Sequence, residues 1–319
     1  MRIHYKNNRE IHKDLNVYNA IFDRSPIPRR GATAIEAIVV AAIVLIVFLL
    51  VLMSLPRSRE SARLLTCRDN LRGIGEGMIL YDQVKERLPE VAASFEPDSK
   101  APGPLATILD EFGVADLRRA RDEAKAVQAG SPRAIAVDRP PGMTCQSDPN
   151  ALVSEFKAPV SYRANTGSEP GGVDGPFAPG VRRSIAEVEA ADGSSFTAAY
   201  SERLVGDGRD VEARQAYRLV DQAIERSGCG STGGIWKGDA GFSWRESTWR
   251  STLYNHLDRP NPAKSCIARD GRTADMGASS GHIHGVNTLF LDGGVRFFTN
   301  DVDIKIWRDA ATTGIKRSP

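Results

Sequence analysis

From Ala37 to Leu55 the chain is apolar except for Ser54, a run of 19 residues with no Gly and no Pro. Strands seldom exceed about ten residues, so the pattern predicts a helix, close to the roughly 20 residues that cross a hydrocarbon layer. Polar residues then return with a different period. Cys67, Leu71, Ile74, Met78 and Tyr81 step by four and three, which is one apolar stripe along an amphipathic helix. A stripe needs a surface to cover, and a sheet is expected there. Gly73, Gly75 and Gly77 each cost about 1 kcal/mol of helix propensity relative to Ala, and they read either as points of close backbone approach or as a flexible stretch. Leu88-Pro89 ends the helix.

Further along, turn residues over 96–104 and 166–180 predict loops. Leu105–Gln128 has a helical pattern with Arg118, Arg119, Arg121, Asp122, Glu123 and Lys125 on a solvated face. Short strands are expected within Thr144–Ala164, a short helix over Arg182–Ala190, a buried strand over Phe196–Tyr200 and a second helix over Asp210–Arg226. Val286–Leu291 and Gly294–Thr299 flank Asp292-Gly293, a hairpin-turn dipeptide whose glycine supplies a positive φ. The expected class is α+β. A long N-terminal helix, membrane-spanning in its first half, packs on an antiparallel sheet ectodomain with additional helices and long loops.

Composition adds direction. The 319 residues carry a net charge of +2, with 41% hydrophobic and 26% charged residues, which fits a folded protein and gives no reason to expect a nucleic-acid partner. Residues 1–31 hold seven Lys or Arg against three acids, and Arg29-Arg30 precede the apolar run directly. That asymmetry keeps the N-terminus cytoplasmic and places the bulk of the chain outside, on a single-pass membrane protein. Cys67, Cys145, Cys229 and Cys266 all fall on the outer side, where disulfides persist. Four cysteines allow three connectivities, and Cys67 also reads as a small buried hydrophobe on its stripe.

Candidate chemistry is sparse. On a strand, His282 and His284 would share a face, and with Asp292 or Asp275 they would form a base or metal pair. Capping a turn accounts for them more simply, and no Gly-x-Ser-x-Gly elbow surrounds Ser279-Ser280. Asp292, Asp301 and Asp303 are the candidates for calcium, without EF-hand spacing. Trp236, Trp244, Trp249 and Trp307 read as core and sheet-packing residues, with a ligand-lining surface as the alternative. Glu36 stands at the entrance of the apolar run, where an unpaired carboxylate is costly.

Arg29-Arg30-Gly31-Ala32-Thr33-Ala34-Ile35-Glu36-Ala37 resembles the processing site of type IV prepilins and type II secretion pseudopilins. The resemblance implies cleavage after Gly31 by a prepilin peptidase, N-methylation of Ala32, and pairing of Glu36 with a neighbouring subunit's terminal amine. Here Ala32 replaces the usual Phe, and Ala34 and Ala37 replace leucines. The likeness extends to a bacterial group of pilin-like proteins with a large ectodomain of unknown function. It rests on Pro56–Arg63, Cys67–Gly75, Cys145–Pro149, Ser161-Tyr162, Asp192–Ser195, Ser201-Glu202-Arg203 and a C-terminal mark in which nine residues separate His282 from Asp292-Gly293. Asn287 also fits the group's pattern, whereas His282-Ile283-His284-Gly285 departs from the group's His-Pro-Gly-Gly. Cys67 and Cys145 both lie inside matched motifs, so the resemblance implies a Cys67–Cys145 bridge, and Cys229–Cys266 is the expected second pair.

The organisation expected is a leader over 1–31, a transmembrane helix over 32–56, its extramembrane continuation over 57–88 and an α+β ectodomain over 89–319. The resemblance implies a non-enzymatic structural subunit of a filament or secretion-type assembly. Its partners would be the prepilin peptidase, like subunits and the membrane, with no cofactor. The alternative is an extracytoplasmic binding module, or a hydrolase using His282 and Asp292.

Overall fold

The structure, a computed structural model, describes residues 33–92, 101–112, 140–151, 158–230 and 233–314. The expected leader, with Gly31 and Ala32, lies outside the described residues, as does most of the expected Leu105–Gln128 helix. The chain divides into two compact units between Pro56 and Arg57.

Helix α1 is Ala34–Lys85 and falls across that division. Thr33 and Glu36 close a capping box at its start: Glu36 N donates to Thr33 Oγ1 at 3.3 Å and Thr33 N donates to Glu36 Oε2 at 2.7 Å. In this first unit Ile35, Ile38, Ile43, Val44 and Phe48 are all exposed.

The second unit holds the remaining elements. They are α2 (Pro104–Phe112), β1 (Tyr162–Asn165), α3 (Ile185–Ala191), β2 (Ala198–Glu202), β3 (Tyr217–Val220), β4 (Ile235–Lys237), β5 (Leu253–Tyr254), β6 (Cys266–Ala268), β7 (Ala274–Asp275), β8 (Gly285–Phe290), β9 (Val295–Thr299) and α4 (Ile304–Asp309). One sheet has the order β5-β1-β2-β8-β9 and the other β4-β3-β6-β7.

Two parts of the expected architecture are corrected. Among the described residues no helix is long and apolar enough to cross a membrane. The apolar stretch whose side chains are described, Ala34–Leu49, gives roughly 24 Å at 1.5 Å per residue, short of the about 30 Å hydrocarbon core. The single antiparallel sheet is also replaced by two mixed sheets, because β1 pairs with β5 and β3 with β6 in parallel.

The core of the second unit is built on the α1 stripe. Cys67, Leu71, Ile74, Met78 and Tyr81 are all buried, against Tyr162, Ala164, Tyr200, Leu289 and Val295 among others. Burying each large side chain stabilises the fold by about 1.5–3 kcal/mol. The glycines of the stripe now separate. A Cβ at Gly75 would lie 2.9 Å from Leu289 Cδ1 and one at Gly77 2.8 Å from Ile108 Cγ2, whereas at Gly73 it would meet nothing within 4 Å. Gly75 and Gly77 therefore let the helix approach its neighbours, and Gly73 does not.

The hairpin expected around Asp292-Gly293 is β8–β9, with Gly293 at φ +85° and Gly294 N donating to Asp292 Oδ1 at 2.8 Å. The short helix expected over Arg182–Ala190 is α3, fixed by a Ser184–Glu187 capping box. The helix expected over Asp210–Arg226 is absent, and β3 occupies its centre. Tyr217–Val220 is held between β4 and β6, and Asp210 instead accepts from Lys237 Nζ and Gly238 N. Two-sided ladder pairing outweighs the weak helical spacing there. Phe196, expected in a buried strand, precedes β2 and is 67% exposed.

Candidate functional site

The family-like motifs converge on one buried place beneath α1. Two disulfides join Cys67 to Cys145 and Cys229 to Cys266, the pairing the resemblance implied together with the expected second pair. By the chain-entropy relation, closures of 78 and 37 residues correspond to about 4.5 and about 3.8 kcal/mol. The first bridge ties α1 to the turn-rich segment 140–151, and two residues after Cys145 the Ser147 hydroxyl donates to Glu60 at 3.1 Å. Glu60 stands two helical turns before Cys67, so both reach the same face of α1.

His282 enters from the other side. An added Cβ at Gly281 would lie 1.7 Å from Ser147 O, so only glycine allows this approach. His282 N donates to Ser280 Oγ, which fixes the turn. The imidazole, 1% exposed, then sits between two carboxylates, with Nδ1 2.6 Å from Glu60 Oε1 and Nε2 3.4 Å from Glu202 Oε1. Cys145 Sγ lies 3.3 Å from Nε2. Glu202, on β2, is itself held by Asn287 of β8, whose N and Nδ2 each donate to it at 2.9 Å.

Burial disfavours the imidazolium, but Glu202 and Glu60 outweigh it and hold the His282 pKa above the ordinary histidine value. The group is therefore a hydrogen-bonded latch that favours the imidazolium and joins α1, β2 and β8. Both ring nitrogens face carboxylates, and the ring is out of solvent while Glu60 is partly exposed.

Asp292 is not part of it. It lies at the exposed turn, at the far end of β8 from His282, a strand of six residues spanning roughly 20 Å. His282 and His284 do not share a strand face, because both precede β8 in a turn where His284 is exposed at φ +73°. Ser279 Oγ accepts from Leu204 N, which accounts for that hydroxyl. Asp301 and Asp303 follow β9, at its opposite end from Asp292, and Asp303 caps α4 through Lys305 N and Ile306 N. The three aspartates are not gathered.

Cys67, Cys145, Glu202 and His282 place potential ligand atoms within 4.8 Å of one another, as do Cys229, Cys266 and Asp275. In each group the two sulfurs are bonded to each other, so no thiolate is offered.

Other buried ionisable groups lie within the core. His256 stacks on Trp307 with ring centroids 3.7 Å apart. Its Nδ1 meets Trp307 O at 2.6 Å and its Nε2 the Tyr254 hydroxyl at 2.8 Å. Burial lowers its pKa to about 3, so it is a neutral core histidine. Trp249 and Trp307 are buried and Trp244 packs partly buried against the core, whereas Trp236, on β4, is only half-buried and joins no core cluster, which corrects the core reading at that position. Asp148 is pushed up to about 6 by burial while accepting from Val205 N and Ser161 Oγ. Burial and the adjacent Asp258 raise Asp275 above the carboxylate range.

Sequence reading singled out His282 and Asn287 but not their carboxylate partners. The available signal was that Glu60 and Glu202 each lie inside a matched motif, and that Glu202 is a charge next to a buried strand pattern.

No curated protein and no solved structure matches the chain. A family described as "Protein of unknown function (DUF1559)" matches residues 56–305, which include Glu60, both disulfides, Glu202, His282 and Asn287. That family is associated with pilin-like, prepilin-type proteins, and the match begins beyond the Gly31–Glu36 segment. Because the match covers most of its length and every part of the latch, the chain belongs to the family of unknown function DUF1559.

Proposed function

We propose that the protein is a non-enzymatic, pilin-like surface subunit. Its N-terminal segment is processed after Gly31 by a prepilin peptidase, leaving Ala32 as the methylated first residue and Glu36 at the fifth position. Its ectodomain works outside the cytoplasm, where the two disulfides persist. The observation that carries this reading is the first unit. Ile35, Ile38, Val40, Val44 and Phe48 stand exposed in a capped helix, an apolar surface that needs cover from lipid and then from like subunits. Glu36, now bonded to Thr33, would exchange that partner for a neighbouring subunit's terminal amine during assembly.

Mass spectrometry of the N-terminus of protein recovered from the cell envelope tests the reading. The expected terminus is N-methylated Ala32, and an intact Met1 terminus overturns it. Glu36→Ala is expected to leave ectodomain unfolding unchanged and to abolish subunit association.

A further inference from the structure

Away from the latch, a groove of about 740 Å³ runs between β9 and α4. Its lining includes Phe290 and Phe298, with Phe196 and Ile306 67% and 60% exposed. That volume suits one or two side chains of a ligand rather than a single ion. Arg296 stacks over Phe290 at 4.2 Å and so forms part of the lining. Asp192 and Asp309 also line it, and among the described residues neither is in an ion pair. The groove therefore joins aromatic and aliphatic side chains to a polar rim of two carboxylates against one guanidinium.

Its flank is an open sheet edge. Among the described residues β9 pairs only with β8. Asn300 N bonds His284 O, and Phe290 N bonds Gly294 O. By antiparallel alternation Arg296 and Phe298 turn their amides and carbonyls toward β8, while Val295, Phe297 and Thr299 turn theirs outward. Arg68 takes Val295 O and Val302 N takes Thr299 O, which leaves the Phe297 N–H and C=O presented at the edge.

We infer that β9 and this groove bind an extended polypeptide segment, which adds as a strand at Phe297 and sets an apolar side chain between Phe196 and Ile306 beside a lysine or arginine facing Asp192 and Asp309. Three observations converge on this occupant. An unpaired strand edge recognises main chain, an apolar lining recognises alternate side chains, and the carboxylates set the sign of the flanking charge. The inference goes beyond the pilin-like reading and stands whether or not the subunit assembles.

The test uses the full chain in a non-ionic detergent and fluorescence anisotropy of a labelled, end-blocked Thr-Val-Phe-Lys-Thr peptide. Saturable binding is expected, weaker by about tenfold when the lysine is replaced by glutamate. Asp309→Asn should narrow that difference, and Phe196→Ala or Ile306→Glu should abolish binding. Both of those side chains are exposed, so unchanged thermal unfolding of the variants verifies their fold. N-methylation of the peptide's phenylalanine amide should also abolish binding, which side-chain docking alone would not require. The inference is overturned if the peptide does not bind, if the glutamate peptide binds equally, or if Phe196→Ala and Ile306→Glu leave binding intact. It is also overturned if chitotetraose binds in the groove and the peptide does not.

Discussion

His282 Nδ1 lies 2.6 Å from Glu60 Oε1 across 222 residues of chain, making one ion pair the meeting point of helix α1 and the strand pair β2–β8. Its opposite nitrogen faces Glu202, so removing the imidazole leaves a buried carboxylate whose charge is met only by hydrogen bonds from Asn287. His282→Ala is expected to lower stability by about 3–5 kcal/mol, the usual consequence of breaking a buried pair. Urea unfolding at pH 6 measures it, and a loss within the range of exposed pairs would mean the latch is not charged.

The same histidine gives a pH signature. Its pKa is raised on folding, so its stabilisation is fully present below the ordinary value of about 6.5 and is lost as pH rises through the folded value. Asp275, also raised, makes stability fall with pH as well, but from the ordinary carboxylate range upward. Thermal unfolding at a series of pH values should therefore show a decline that begins in the carboxylate range and steepens above pH 6.5; Asp275→Asn removes the early part, below pH 6.5, whereas His282→Gln leaves that part and removes only the steepening.

His256 acts with the opposite sign. Its folded pKa is depressed to about 3, so its neutral form stabilises fully above about pH 6.5, and that stability erodes as pH falls toward 3. The shift corresponds to roughly 4–5 kcal/mol over that window. His256→Phe keeps a ring over Trp307 but leaves Trp307 O without its donor, at a cost of about 1–3 kcal/mol at neutral pH. Its acid limb, followed by tryptophan fluorescence, should be shallower than that of the parent.

Two glycines predict opposite outcomes. Gly73→Ala meets nothing within 4 Å and should stabilise α1 by about 0.5–1 kcal/mol. Gly281→Ala drives a methyl to 1.7 Å from Ser147 O and should displace His282 from its carboxylates. Denaturant midpoints distinguish them. A neutral Gly281→Ala would show that the turn relaxes without disturbing the latch.

The parts of the fold legible in sequence were those set by local rules. The α1 stripe, the β8–β9 hairpin and the α3 capping box each follow from spacing or from a dipeptide. Asp210–Arg226 misled because its helical spacing was weak and the deciding term, pairing on both sides of β3, comes from residues far along the chain. The site was half legible for the same reason. His282 and Asn287 stood out as motif residues, but the burial of Glu202 and the reach of Glu60 depend on how α1 lies over β2 and β8. The membrane-spanning length of the first helix was read from an apolar run that the described side chains follow only to Leu49.

The latch and the Cys67–Cys145 bridge hold α1 at two points, two turns apart, to the rest of the second unit, which gives the helix a mechanical role. Tension along its axis from the Arg57 side meets the Glu60–His282 pair first and then the disulfide, before any other residue of the stripe is strained. Through the latch the load passes into β2 and β8, inner strands of the five-stranded sheet that have a paired neighbour on either side. Through Cys145 it passes along a covalent bond. A pull on the helix therefore has to part the Glu60–His282 contact and then load a covalent sulfur–sulfur bond, and neither attachment lies on an edge strand of the sheet.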